Sequence, residues 1–279
     1  ELKKYADLLK TIKKPLNTDW GSDRIVNDNL RGLAELSDGG MYPILFAGHK
    51  RLNRASMGQL IDLVTRLHFR AKTVCEVSYT SIEELVVSVC SQLVNNAGYS
   101  IPDIVKSMTS DWLKYPSDSD FKTKFLELRL TVPRKALYPL SEIEYSYRPG
   151  GKMQSAQMIV DDIQVEHIMP KSIDRKWRSV LDKNPQLNSV DKVNAYHKHN
   201  LAKLGNMTLL TSLANQIVSD DEYEKKLNGN LSGHYSGYKD EQLKITNSLT
   251  QFTKWSDTEI DTRQGIFWTQ AKIIWDLKK

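Results

Sequence analysis

The dipeptide Glu166-His167 closes the alternating run 163–168 just ahead of Pro170, and no other segment of the chain is better suited to chemistry. Alternation and β-branching make that run a short strand, on which neighbouring side chains face opposite sides. A carboxylate can then hold a hard divalent cation while the imidazole, free of the metal, takes a proton from water. Glu-His pairs are common by chance, so the pair alone says little. Gly205-Asn206-Met207-Thr208-Leu209-Leu210 adds to it, with Asn215 nine residues after Asn206. One Asn leading into a strand and another on the following helix are unusual choices in apolar surroundings. The plain alternatives are a turn residue tolerant of left-handed geometry and an exposed helical amide. His197 and His199 form a His-x-His pair with no third ligand at matching spacing. Positions i and i+2 of a helix do not share a face, so both read as non-ligands, within the class of residues that contact phosphate. His49 and His68 stand alone and read as surface or packing residues, and His234 falls in a Gly/Ser-rich loop.

Elements must position these groups. The chain has 279 residues, 40% hydrophobic and 26% charged, enough for one large domain or two small ones. This composition excludes wholesale disorder and fibrous repeats, and no apolar run approaches the ~18 residues that cross a bilayer, so no membrane partner is expected. Cys75 and Cys90 make no disulfide framework or cysteine-based zinc site, and a cytoplasmic setting follows. The chain opens on Glu1 with neither Met nor signal peptide and reads as part of a longer protein.

Before Gly151 the texture is helical. Helices are predicted over 23–36, over 56–69, from a Ser81–Glu84 capping box through Val94, over 101–113, and over 119–147 with Pro133 kinking or splitting the last. Within 50–72, Lys50, Arg51, Arg54, Arg66, Arg70 and Lys72 face only Asp62, and Lys122, Lys124, Arg129, Arg134 and Lys135 face only Glu127. Such clusters suit phosphate backbones, although solvated helix faces look the same. Arg148-Pro149-Gly150-Gly151 is the clearest break in the chain. Beyond it come the strand over 163–168, a second strand near 207–210, a helix through Asn215, helices over 220–228 and 239–251, and a last helix capped by Ser256 and Glu259.

The order carboxylate, His, Asn, Asn resembles a ββα-metal nuclease site. More closely, Val165-Glu166-His167-Ile168-Met169-Pro170, the Gly205–Leu210 strand, Asn215, Tyr223, Lys226, Trp255, Ile260, Arg263 and Trp275 resemble the HNH nuclease domain of GmrSD-type restriction proteins. In that family a ParB-like nucleotide-hydrolysing domain precedes a helical region and a C-terminal HNH domain. The resemblance covers roughly 150–279. It departs at Lys171, where the family usually has Gln, at Met207 for Leu and at Tyr223 for Phe.

The resemblance implies a mainly α fold in two parts: a helical domain over 1–150, then an α-helical domain over 151–279 carrying the ββα-metal motif. It implies a metal-dependent endonuclease, nicking or restricting foreign or phage DNA. His167 would be the general base, Glu166 and Asn215 would ligate one Mg²⁺ or Mn²⁺, Asn206 would fix the loop that orients His167, and Lys226 would lie near the phosphate as an added cation. Double-stranded DNA is the implied partner, with Lys50, Arg51, Arg54, Lys171 and His199 as candidate contacts and a ParB-like domain upstream. Trp255, Trp268 and Trp275 read as core aromatics, and Arg263 as structural. Two other readings stay open: a helical nucleic-acid-binding module with an inert HNH-like scaffold, and an RNase using the same site, because a phosphodiester-holding centre does not itself read sugar or base.

Overall fold

In a computed structural model of the chain, the described residues are 2–13, 23–36, 39–111, 113–154, 162–173, 177–178, 181, 184–229 and 235–278. His234 lies outside them. The architecture is mainly α, with one two-stranded sheet among the described residues. The chain divides into two compact units, residues 1–125 with 271–279 and residues 126–270. Among the described residues no helix is long and apolar enough to cross a membrane.

The first unit contains α1 (Leu2–Lys13), α2 (Arg24–Leu36), α3 (Tyr42–Arg51), α4 (Arg54–Leu67), α5 (Tyr79–Asn95) and α6 (Ile101–Thr109), followed by α7 (Asp118–Leu126). Val26, Leu30 and Leu33 of α2, and Leu60, Ile61 and Val64 of α4, share one buried cluster, as their helical spacing requires. Asn53 starts α4 by accepting the Ser56 amide at 2.9 Å. The helix then runs without a break into a π-helical segment, His68–Val74. Helix α5 begins earlier than its sequence signal. Ser78, not Ser81, has the extended cap backbone, and its hydroxyl accepts the Ser81 amide at 3.1 Å. Pro133 does split the predicted 119–147 helix, because it opens α8 where its missing N–H has no intrahelical acceptor to lose.

The second unit holds α8 (Pro133–Ser146), α9 (Gly151–Gln154), β1 (Ile163–His167), α10 (Val190–Leu201), β2 (Met207–Thr211), α11 (Ser212–Val218), α12 (Tyr223–Asn228), α13 (Lys244–Asn247) and most of α14 (Asp257–Ile274). Strands β1 and β2 run antiparallel, pairing Ile163 with Thr211 and His167 with Met207. The break at 148–151 falls inside this unit. Glu144 of α8, fully buried, accepts the Ile245 amide at 2.7 Å and the Arg148 Nε at 2.7 Å, which binds α8 to α13. That bond also bears on the predicted 239–251 helix. The segment is instead a 3₁₀ turn at Tyr238–Asp240, the single turn α13, and another 3₁₀ turn at Ser248–Gln251. Thr246 donates to the Leu209 carbonyl at 2.5 Å and the Ile245 amide is taken by Glu144, so tertiary partners override helical continuity.

Helix α14 starts as its sequence predicts, with Ser256 hydrogen-bonded to Glu259, and it buries Ile260, Phe267 and Ala271 completely. It crosses the entrance to β2 at Gly205, where a Cβ would lie 2.2 Å from the Ile260 carbonyl oxygen. Only glycine permits that approach. Gly205→Ala is therefore expected to lose about 2 kcal/mol or more of stability through forced displacement of α14, read as a lower urea midpoint at unchanged m-value.

Candidate active site

The register of the β ladder sets directions. Glu166 pairs with Thr208 and Gln164 with Leu210, so all four share one face, while His167 pairs with Met207 on the other. The Glu166 carboxylate is buried and receives two donors on the same oxygen, Lys226 Nζ at 2.5 Å and the Tyr238 hydroxyl at 3.0 Å. Lys226 also donates to the His167 carbonyl at 3.1 Å. Burial pushes the Glu166 carboxyl above the usual carboxylate range, with Lys226 and Tyr238 pulling against that shift. Lys226 itself is 1% exposed, unlike the solvated surface lysine its polarity suggests. Tyr238, fully buried, was missed in the sequence. Its only signal there is an aromatic after Gly237, whose φ of +97° brings the chain against Gly229.

His167 is 6% exposed, and among the described residues nothing hydrogen-bonds its ring. Burial, reinforced by the charges of Lys171, Lys226 and His197, pushes the imidazole down to about 4, so it is neutral at pH 7 with a lone pair to offer. The backbone after it is fixed by one side chain. Asn206 Oδ1 accepts the Met169 amide at 2.8 Å and Trp255 Nε1 at 3.0 Å, while its Nδ2 donates to the carbonyls of Met169 at 3.0 Å and Leu201 at 3.2 Å. The Asn206 carbonyl accepts the Ile168 amide at 2.9 Å. His197 adds a further tie, donating from Nε2 to the Pro170 carbonyl at 2.7 Å. Trp255 is thus more than a core aromatic; it stacks on Tyr223 at 5.2 Å and orients Asn206.

Asn215 on α11 donates from Nδ2 to Gln164 Oε1 at 2.9 Å, which leaves Oδ1 as the acceptor atom of the amide, with no donor on it among the described residues. Gln164 shares the Glu166 face, so the carboxylate and the α11 amide lie on one side of β1. Among the described residues no group of three or more His, Cys, Asp and Glu side chains forms a metal cage. A donor set of one carboxylate and one amide oxygen fits a hard cation that keeps most of its water, as Mg²⁺ and Mn²⁺ do.

Arg263 is structural. Buried to 1% exposure, it donates to the carbonyls of Gly205, Met207 and Ile245 and lies over the Phe267 ring at 4.5 Å, and burial lowers it to about 10. The basic run at 50–72 divides. Lys50, Arg51 and Arg54 are exposed, with Arg51 donating to the Val94 carbonyl. Arg66 donates to the carbonyls of Ile274 and Asp276. Arg70, fully buried, holds the Pro116 carbonyl at 2.7 Å and Asp118 at 2.6 Å, and Lys72 donates to the Val77 carbonyl at 3.0 Å. In the second unit Lys171 is exposed directly after Pro170, and His199 is exposed against Arg129 at 2.9 Å.

A family model described as the C-terminal domain of GmrSD restriction endonucleases matches residues 115–268, a stretch that contains Glu166, His167, Asn206, Asn215, Lys226 and Arg263. The chain belongs to that family. Among curated proteins none matches it. The GmrSD C-terminal domain family is one of restriction endonucleases, and the matched stretch contains the Asn206 clamp behind His167. Removing that clamp strands several buried donors and acceptors at once. Asn206→Ala should lower stability by about 3 kcal/mol. Asn206→Asp should not rescue it, since a carboxylate cannot donate to Met169 and Leu201; parallel chemical denaturation of the two variants checks this.

Proposed function

We propose that the chain is a metal-dependent endonuclease that hydrolyses phosphodiester bonds in double-stranded DNA, with foreign or phage DNA as its target. The observation that carries this reading is His167: a neutral imidazole at a strand end, unbonded among the described residues and held in place by a fully satisfied asparagine. Family membership supports nuclease chemistry, and the oxygen donors on the opposite face of β1 support a divalent cation.

His167 takes a proton from the attacking water as that water adds to phosphorus in line with the leaving 3′-oxygen. Glu166 and Asn215 are the residues that would hold one Mg²⁺ or Mn²⁺. When bound, such an ion supplies positive charge to the scissile phosphate and to the departing oxygen. Asn206 and His197 fix the 168–170 backbone, so the imidazole loses little freedom on reaching its substrate. Lys171 and His199, exposed in the same unit, and Lys50, Arg51 and Arg54 in the other, are the proposed contacts to DNA phosphates.

Supercoiled plasmid with Mn²⁺ or Mg²⁺ tests the reading. The chain should relax it, EDTA should stop the reaction, and His167→Ala should slow it by roughly 10²–10⁴-fold while far-UV circular dichroism stays the same. Open circles without linear product would make the activity nicking. No cleavage, with salt-sensitive binding retained, would instead favour the binding-module reading. Asn215→Ala should act differently, raising the metal concentration needed for half-maximal rate and leaving the saturating rate less affected; an unchanged metal dependence would remove Asn215 as a ligand.

A further inference from the structure

Lys226 occupies a position that the proposed mechanism does not use. Its side chain is fully buried, its ammonium lies 2.5 Å from Glu166, and its second donor bond ties it to the backbone of the histidine next door. A lysine so placed is expensive to bury unless it neutralises something. Among the described residues Glu166 is the one carboxylate paired with it. The same carboxylate is the only acidic side chain in the proposed ligand set. One buried carboxylate therefore answers to two cations, an internal ammonium and an incoming metal.

We propose that Lys226 is a built-in counter-cation that stands in for the metal. In the metal-free chain it neutralises Glu166 and, with Tyr238, holds the carboxylate at the end of β1 in its working orientation. An arriving divalent ion competes with the ammonium for the carboxylate. The site is thus assembled before metal arrives, and metal affinity is set by the difference between two cations rather than by Glu166 alone. This inference rests on the reading of Glu166 as a metal ligand, and its test separates the two.

The experiment compares thermal unfolding of the wild-type chain, Lys226→Met, and the double variant Lys226→Met with Glu166→Gln, each at pH 8 with and without Mn²⁺. Breaking a buried pair from one side leaves an uncompensated charge, so Lys226→Met should lower Tm by on the order of 10 °C. Mn²⁺ should then raise Tm by more in Lys226→Met than in the wild type, since no ammonium opposes it. The double variant should recover most of the lost stability and respond to Mn²⁺ no longer. Two results would overturn the inference. If Lys226→Met loses no stability, or Glu166→Gln fails to restore it, while Mn²⁺ still stabilises the wild type, the counter-cation role is wrong and the metal reading stands. If Glu166→Gln restores stability but Mn²⁺ shifts neither the wild type nor Lys226→Met, the pair is purely structural and Glu166 is not a ligand.

Discussion

The second unit depends on one neutral amide. Asn206 uses both carboxamide protons and both acceptor positions on partners from three directions: the 168–169 backbone, the end of α10, and the indole of Trp255. A buried amide satisfied to this extent gains from the low dielectric around it, where a half-satisfied one would be a liability. It contributes no charge and needs no counter-ion. Its value is geometric, because the strand end, a helix end and an aromatic must all be placed before the fourth bond closes.

The charged interior follows a related rule. Among the described residues Arg263 is buried without a carboxylate, and its two terminal amino groups instead donate to three carbonyls and the Thr208 hydroxyl at the junction of β2, α13 and α14. Glu144 is buried against an amide and an arginine just past the end of its own helix. Arg70 in the first unit lies between the rings of Tyr115 and Phe121 and donates to the Pro116 carbonyl and the Asp118 carboxylate. Each long side chain replaces a contact that apolar packing would leave without direction. In each case the protein uses charge to fix orientation.

Much of this was legible in the sequence wherever local chemistry decides. Periodicity placed α2, α4 and α14, and alternation placed β1 with its Glu-His end. The asparagines were visible by type and spacing, because an amide in an apolar context needs a reason. What stayed hidden depends on distant partners. The Ser81–Glu84 capping box predicts the α5 cap with the right residue type but three positions late, since backbone conformation chooses Ser78. The 239–251 segment has helical composition, yet Glu144 and Leu209, far away in sequence, take its hydrogen bonds. Four cations of the 50–72 cluster look like a basic face and instead donate to carbonyls. Tyr238 carries no local mark of the carboxylate it will meet.

The two strands are neighbours in space and far apart along the chain, with all of 168–206 between them. Closing a connection of that length takes about 3 kcal/mol of chain entropy before any ladder bond repays it, so the ladder cannot nucleate as a local hairpin. As the polypeptide leaves the ribosome, His167 emerges well before Asn206, and Lys226 and Trp255 emerge later still. A nascent chain therefore contains the histidine before the surroundings that hold it. The centre comes into existence only with the finished unit, and a chain that stops between these residues lacks it.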